Sequence, residues 1–440
     1  MTVVTRFAPS PTGFLHIGNA RTSIACGMLA LATKGKYILR IDDTDAERSR
    51  EEYVDGLRRD LAWLGAEWSE EQRQSERFDR YNACVEQLKA EGRMYACYET
   101  SEEIDIKRKI LLGRGLPPLY DREGLRLSDA QKRAFESEGR KPHWRFKLNS
   151  AEAIAWTDAV RGELSFNAAD LSDPVVIREN GTPTYLFPSA VDDVDMGVTH
   201  VVRGEDHITN TAIQIQIFTA LGAVPPTFAH LSLLKTKEGK ISKRKGGNAI
   251  KDLREEGVES AAVVSYLSRL GTSRPVIPLS GMKEAAEDFS FSHFSRASCI
   301  FDHEELERLS AKIVRGYEYG DVRNRGSVKY VDESFWNAVR GNLSRVSDAE
   351  EWRSICADAP SPYREEAEFL REAASLLPGG EWNENTWIEW TNVLKERTGR
   401  KGKQLFMPLR LALTGKESGP ELAALLPVIG KTKAKERLER

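Results

Sequence analysis

Two short runs carry residue types that could handle phosphate. The first, from Arg6 to Asn19, reads RFAPSPTGFLHIGN. Its prolines and Gly13 punctuate a loop, and His16 and Gly18 stand where a helix would begin. A helix N-terminus offers unpaired N–H groups and a partial positive charge, which suit phosphate. Gly18 would let a ligand approach the backbone closely, and His16 can donate a hydrogen bond to a phosphate oxygen. Read alone, such a histidine is more often structural. The second run, Lys240 to Arg244, reads KISKR and continues into Lys245, Gly246 and Gly247. With Glu238 and Gly239 before it, it is expected to form a mobile loop. Lys240 and Lys243 could close onto a triphosphate and neutralise charge growing on departing pyrophosphate. A lone basic loop is usually just solvated. Both runs follow predicted strands of one sheet, however, so they could face one cleft.

The elements that would position them read as follows. Val3 to Phe7 is a short β-rich run, Asn19 to Thr33 an Ala/Leu-rich helix stopped at Gly35, and Lys36 to Ile41 a strand. Glu51 to Leu64 is helical and stops at Gly65. This strand–helix–strand unit implies a parallel sheet with a right-handed crossover and ligands at the carboxyl ends of its strands. The pattern is then interrupted by a polar stretch from about Ala96 to Ala151. Strand signals follow at Trp144 to Lys147, Val175 to Arg178 and Thr184 to Phe187, with Asn180-Gly181 as a hairpin turn between the last two. Thr199 to Arg203 reads as a strand and Thr209 to Leu221 as a helix, so the α/β pattern resumes. Beyond Ile250 helical signals dominate. There is no internal repeat and no low-complexity tract.

Composition limits the classes. The 440 residues suffice for two to four domains, and 40% apolar with 30% charged residues describes a globular chain rather than a disordered one. No stretch approaches the ~20 apolar residues of a membrane span, and Met1 to Phe7 does not open a secretion signal. Five scattered cysteines, Cys26, Cys84, Cys97, Cys299 and Cys356, argue for a reducing cytoplasm. The net charge of −3 does not announce a nucleic-acid binder, but its distribution is uneven. Residues 395–440 carry 12 Lys/Arg against 5 Asp/Glu, and 235–245 carry six against one. Basic patches of this kind suit a polyanion touched at a few places, although solvated lysine surface is the plainer reading.

Taken together, the two runs resemble the signatures of class I aminoacyl-tRNA synthetases. His16 to Asn19 is similar to the H-I-G-H motif with Asn in last place, and Lys240 to Arg244 to the K-M-S-K-S motif. The surrounding text resembles bacterial glutamyl-tRNA synthetases. It comprises Arg6 to Gly13, LRIDDTD at 39–45, Pro183-Thr-Tyr185, Val191 to Asp193, HVVRGEDH at 200–207 and KQLFMPLR at 403–410. Glutaminyl relatives carry P-P-E-P-N-G where this chain has Ala8 to Gly13, so the glutamyl branch fits better.

The resemblance implies roles for particular residues. Glutamate brings two carboxylates and one ammonium, so its site needs two cations and one anion. Arg6 and Arg203 can each fork onto a carboxylate. Similarity to the family puts Arg6 with Tyr185 near the side-chain carboxylate, Arg203 near the α-carboxylate, and Asp42 with Ser10 near the ammonium, with Ala8 also in the site. Ser189 stands where many relatives have Asn. His16, Gly18, Asn19, Lys240, Ser242 and Lys243 are expected to bind ATP, with His16, Asn19, Lys240 and Lys243 acting in catalysis. Mg²⁺ would accompany the phosphates. Many relatives hold zinc with a Cys-x-Cys pair and a later Cys and His. Here Cys97-Tyr-Glu99 keeps only the first, and Tyr120 to Arg126 offers neither, so no zinc is expected.

The resulting expectation is an α/β protein with a Rossmann-type parallel-sheet catalytic domain, an inserted acceptor-binding region and an all-α C-terminal anticodon-binding domain. The segments are 1–95 and 186–250 for the catalytic domain, 96–185 for the insertion, 251–310 for a helical connection and 311–440 for the anticodon reader. The implied activity is ATP-dependent glutamylation of tRNA(Glu) through glutamyl-adenylate, by a cytoplasmic monomer with no membrane partner. The alternatives are glutamylation of tRNA(Gln) by a non-discriminating or paralogous enzyme, and an inactive RNA-binding paralogue. A shorter nucleotidylyltransferase or glutamyl-queuosine-type relative would lack the region from Glu304 to Arg440.

Overall fold

A computed structural model describes residues 2–236, 239–240, 249–358 and 360–440. The chain divides into two compact units. One comprises residues 1–253 and 264–302, the other 254–263 and 303–440.

The first unit is built on a five-stranded sheet of β1 (Val4–Phe7), β2 (Lys36–Ile41), β3 (Glu70–Arg73), β9 (His200–Gly204) and β10 (Thr227–Leu231). Its order is β10-β9-β1-β2-β3 and every pairing is parallel. The inner strands are largely buried because helices cover the sheet, whereas β3 at the edge, reading EEQR, is polar and partly exposed. Helix α1 (Ile17–Thr33) connects β1 to β2, and α2 (Glu51–Trp63) connects β2 to β3. Chain order runs one way from β1 through β2 to β3 and the other way from β1 through β9 to β10. The β1/β9 boundary is therefore a topological switch point, where ligand crevices open at the strands' carboxyl ends. Lys34, in left-handed conformation, ends α1, and Gly35 serves another purpose. A Cβ on Gly35 would lie 2.3 Å from the Val3 carbonyl oxygen, so only glycine lets β1 and β2 pair there.

After α3 (Phe78–Ala90), β4 (Met94–Cys97), β5 (His143–Phe146) and β8 (Val175–Ile177) form an antiparallel sheet, beside the hairpin β6 (Ala153–Asp158) and β7 (Gly162–Asn167). Two helices, α4 (Ser101–Gly113) and α5 (Asp129–Ser137), occupy the polar stretch, each opened by a capping box on Thr100 or Ser128. Neither buries a residue, which is why the stretch lacks an apolar period. One expectation is corrected. Thr184 to Phe187 is not a strand: after the turn at Gly181 only Pro183 bridges back to Ile177, and α6 (Leu186–Asp195) begins. Pro188 sits in its first turn, where the missing N–H costs nothing. Phe187, Ala190 and Val191 pack into the core with Phe218 of α7 (Ile208–Ala220) and Phe228 of β10. β11 (Leu234–Thr236) pairs with β12 (Gly239–Lys240) and with β13 (Cys299–Phe301).

The second unit is helical, with Trp336, Trp390, Leu394, Leu405, Leu409, Leu425 and Leu426 in one apolar core. The helix Lys403–Thr414 buries Leu405, Leu409 and Leu413 at helical spacing despite Pro408. No helix among the described residues is long and apolar enough to cross a membrane.

Candidate active site

A cavity of about 610 Å³ opens at the β1/β9 switch point. Its wall includes Arg6, Ala8, Ser10, His16, Gly18, Asn19, Tyr185 and Arg203. The sheet explains the convergence. Arg6 lies near the end of β1 and Arg203 near the end of β9, on adjacent parallel strands.

Arg203 is 6% exposed, and among the described residues no carboxylate lies within ion-pairing distance of it. Its guanidinium donates from Nη1 to the Tyr185 hydroxyl at 3.4 Å, from Nη2 to Thr211 Oγ1 at 2.5 Å and from Nε to His230 Nε2 at 3.3 Å. All three acceptors are neutral when His230 is unprotonated. Burial lowers the Arg203 pKa from its ordinary value, with Tyr185 pulling the other way. A buried cation with no ion-paired carboxylate among the described residues can receive an anion.

Arg6 is held differently. It is 3% exposed and donates from Nε and Nη2 to Asp193 at 3.0 and 3.4 Å. Asp193 also accepts from Arg40 Nη1 at 2.7 Å. Arg40, fully buried, meets Asp42 through Nε and Nη2 at 2.7 and 3.2 Å and donates to Ser189 Oγ at 3.0 Å. Burial opposes charge on Asp193, but Arg6 and Arg40 together hold its carboxyl below the usual range. For Asp42 burial wins over Arg40 and pushes the carboxyl up to about 6. Both Asp42 and Ser189 face the Arg40 guanidinium.

His16 is the N-cap of α1. Its Nδ1 accepts from the backbone N–H of Gly18 at 3.1 Å and of Asn19 at 3.3 Å. Two amides expected to be open to phosphate are thus taken by the histidine itself. An accepting Nδ1 is unprotonated, so the ring proton is on Nε2, which can donate. A Cβ on Gly18 would lie 3.0 Å from His16 Cε1, so the glycine makes room for this cap. Ala249 bridges to His16, and Ile250 N donates to the Leu15 carbonyl at 2.8 Å. Ser242 and Lys243 lie outside the described residues, as does the Lys240 side chain; the Lys240 backbone pairs with Lys235.

Several residues were missed by sequence reasoning. Arg21 also lines the cavity, donating to the carbonyls of Ser232 and Leu270 at 2.7 and 2.9 Å. Its position one turn into α1 from Gly18 was the available signal. His207 packs against Tyr185, ring centroids 5.5 Å apart. In the insertion, His143 lies with Cys97 and Glu99, their ligand atoms all within 4.8 Å of one another. His143 is on β5, directly opposite Cys97 on β4, a neighbour only sheet pairing reveals.

Two family profiles match the chain. The class I tRNA synthetase (E and Q) catalytic domain covers residues 2–308, and an anticodon binding domain covers 342–440. The chain is 50% identical over 438 residues to glutamate-tRNA ligase 1 of Rhizorhabdus wittichii, covering 99% of each. It is 50% identical over 445 residues to glutamate-tRNA ligase 2 of Erythrobacter litoralis, covering 99% of this chain and 98% of the relative. Among solved structures it is similar to a glutamate tRNA ligase from Elizabethkingia meningosepticum in complex with its amino acid. That likeness has a TM-score of 0.87 at 27% identity and covers 100% of this chain and 98% of the other.

Proposed function

This chain belongs to the class I glutamate-tRNA ligases, which use ATP, and from that premise we propose how its cavity divides the work. The observation that carries the reading is the buried Arg203 cation, which has no carboxylate partner among the described residues. Arg203 takes the α-carboxylate of L-glutamate. Arg6, whose Nη1 is not used by Asp193, takes the side-chain carboxylate with the Tyr185 hydroxyl. Asp42 shares its carboxylate between Arg40 and the substrate ammonium, with Ser10 assisting; two oxygens leave lone pairs for both. Ala8 shapes the wall. Ser189 acts through Arg40 rather than on the substrate, because it is fully buried against that guanidinium.

ATP lies along the start of α1, with Gly18 and Asn19 beside it and His16 donating from Nε2 to phosphate. Lys240, Ser242 and Lys243 close on the phosphates from the other run. The α-carboxylate of glutamate attacks the α-phosphorus of ATP, giving glutamyl-adenylate and pyrophosphate. The 2′-hydroxyl of the terminal adenosine of tRNA then takes the glutamyl group and releases AMP. The protein contributes position and charge rather than a covalent nucleophile. Mg²⁺ travels with the phosphates, and no side chain is assigned to it. The partner is tRNA(Glu), and the enzyme works as a cytoplasmic monomer without a membrane partner. The segments proposed from the sequence, 96–185 at the acceptor end and 311–440 at the anticodon, are the tRNA-reading parts.

No zinc is assigned to the insertion. Cys97, Glu99 and His143 come together, but their surroundings suit a metal-free cluster. The Tyr120 hydroxyl joins Cys97 Sγ at 3.3 Å and Glu99 Oε1 at 2.7 Å, and the Arg145 guanidinium lies 3.8 Å from the Tyr120 ring centre.

The test is ATP–pyrophosphate exchange driven by glutamate, with and without tRNA, followed by charging of tRNA(Glu) and tRNA(Gln) in parallel. Charging of tRNA(Glu) is expected; charging of tRNA(Gln) as well would identify the non-discriminating alternative. Arg203→Ala should cost ~2–5 kcal/mol in glutamate binding or in the transition state. Unchanged constants for glutamate would remove Arg203 from the pocket.

A further inference from the structure

Asp158 and His230 are 2% exposed and fully buried, far apart in sequence and not on the cavity wall. Asp158 closes the β6 end of the β6–β7 hairpin, and His230 is on β10. His230 Nδ1 lies 2.5 Å from Asp158 Oδ2. Asp158 Oδ1 accepts from the backbone N–H of Val160, Arg161 and His230 at 3.0, 2.9 and 3.2 Å. The carboxylate is thus fixed by the turn it belongs to and by the strand it touches. The hairpin tip is further tied to β10 by Ala159 N donating to the Phe228 carbonyl at 2.8 Å, and to Glu205 by Arg161.

The chemistry of this pair has one direction. A carboxylate on Nδ1 keeps the ring proton there, so Nε2 carries a lone pair. That lone pair faces Arg203 Nε at 3.3 Å. Protonating His230 would place an N–H against a guanidinium, and burial already disfavours its charged form. Thr211 completes the cradle: its hydroxyl accepts from Arg203 Nη2 at 2.5 Å and lies 2.9 Å from His230 Nε2.

We infer that Asp158 and His230 are positioning residues for Arg203, holding its guanidinium so that the unused edges of its nitrogens face the bound glutamate. The pair turns a buried, otherwise swivelling arginine into a fixed fork, and the hairpin tip supplies the anchor. This rests on the reading of Arg203 as the α-carboxylate anchor. Asp158 and His230 themselves touch no substrate.

The experiment is a mutant series read by the Michaelis constants for glutamate, ATP and tRNA and by thermal stability. His230→Gln should raise the glutamate KM by ~10-fold or more, as for loss of a hydrogen bond to a charged group, with the ATP KM nearly unchanged. Arg203→Ala should raise it at least as much, and the double variant should be no worse than Arg203→Ala alone, because both act through one group. Asp158→Asn keeps the shape and removes the charge; it should shift the glutamate KM in the same direction and carries the test if His230→Gln does not fold. A lower melting temperature with an unchanged glutamate KM would show a merely structural pair and overturn the inference. If Arg203→Ala raises the glutamate KM while neither His230→Gln nor Asp158→Asn does, the inference fails and the anchor reading survives. If Arg203→Ala leaves it unchanged, the anchor reading itself fails.

Discussion

Arg6 and Asp193 meet side-on beneath the cavity, Nε to Oδ1 at 3.0 Å and Nη2 to Oδ2 at 3.4 Å, with both side chains 3% exposed. The same carboxylate accepts from Arg40 at 2.7 Å. One anion therefore stabilises two buried guanidiniums, only one of which reaches the cavity wall. Such a group orients Arg6 at the cost of part of its charge. Arg203, without a carboxylate among the described residues, keeps more of its charge for a ligand.

Asp193→Asn should leave two buried cations short of charge. Breaking a buried pair costs about 3–5 kcal/mol, so the variant should be destabilised by that order at neutral pH. The dependence on pH follows from the depressed folded-state value of Asp193. Its stabilising contribution is present above the unfolded carboxyl value of ~3.9 and is lost as pH falls through the folded one. The gap between wild type and variant in urea melts should therefore shrink as pH falls below ~4. A gap that stays constant with pH would show that the charge of Asp193 is not what stabilises the fold.

The local pattern made some of this visible and hid the rest. Arg6 and Arg203 were legible because each ends a short β run inside a distinctive motif, and the strand–helix–strand unit implies where such ends open. Partners chosen by the tertiary fold were not. Asp193 is 187 residues from Arg6, and His230 is 72 from Asp158. Nothing in the spacing of either pair announces a contact. Ligand spacing along the chain points to no zinc, but spacing alone does not reveal that β-pairing sets His143 opposite Cys97. Thr184 to Phe187 reads as strand because its aromatic and β-branched residues fit either state, and packing of Phe187 decides for helix.

Protein purified without chelator should contain less than one equivalent of zinc by elemental analysis. The expectation rests on the pattern after Cys97, where Glu99 stands in place of a second cysteine and residues 120–126 offer neither cysteine nor histidine. A full equivalent that survives dialysis, and is lost in Cys97→Ser or His143→Ala, would place an ion on that cluster instead.

Lys243 lies outside the described residues, so its role rests on the KISKR run between Gly239 and Gly246. A charge that matters when pyrophosphate departs lowers the rate when removed and affects ground-state binding less. Lys243→Ala should slow adenylate formation by ~2–4 kcal/mol, with a smaller effect on ATP affinity. If the run only grips tRNA phosphates, the variant would instead weaken tRNA binding with a shallower salt dependence. Single-turnover adenylate formation at saturating tRNA would then proceed at the wild-type rate.

His16 combines two roles that one substitution confounds and two separate. Its Nδ1 caps α1 through the Gly18 and Asn19 amides, and the resulting tautomer puts the proton on Nε2 for a phosphate oxygen. His16→Ala removes both. Losing the cap should cost about 0.5–2 kcal/mol of stability. Losing the donor should slow adenylate formation by about 2.7–4 kcal/mol, the range for one charge-stabilising hydrogen bond. Asparagine is among the best N-caps, and its short side chain accepts from the same amides but does not reach as far as Nε2. His16→Asn should therefore melt within about 0.5 kcal/mol of wild type, inside the spread among good caps, while reacting as slowly as His16→Ala. Chemical denaturation and single-turnover adenylate formation on the two variants read the roles independently. A fast His16→Asn enzyme would mean that the imidazole only starts the helix, and that phosphate is met by other groups on the cavity wall.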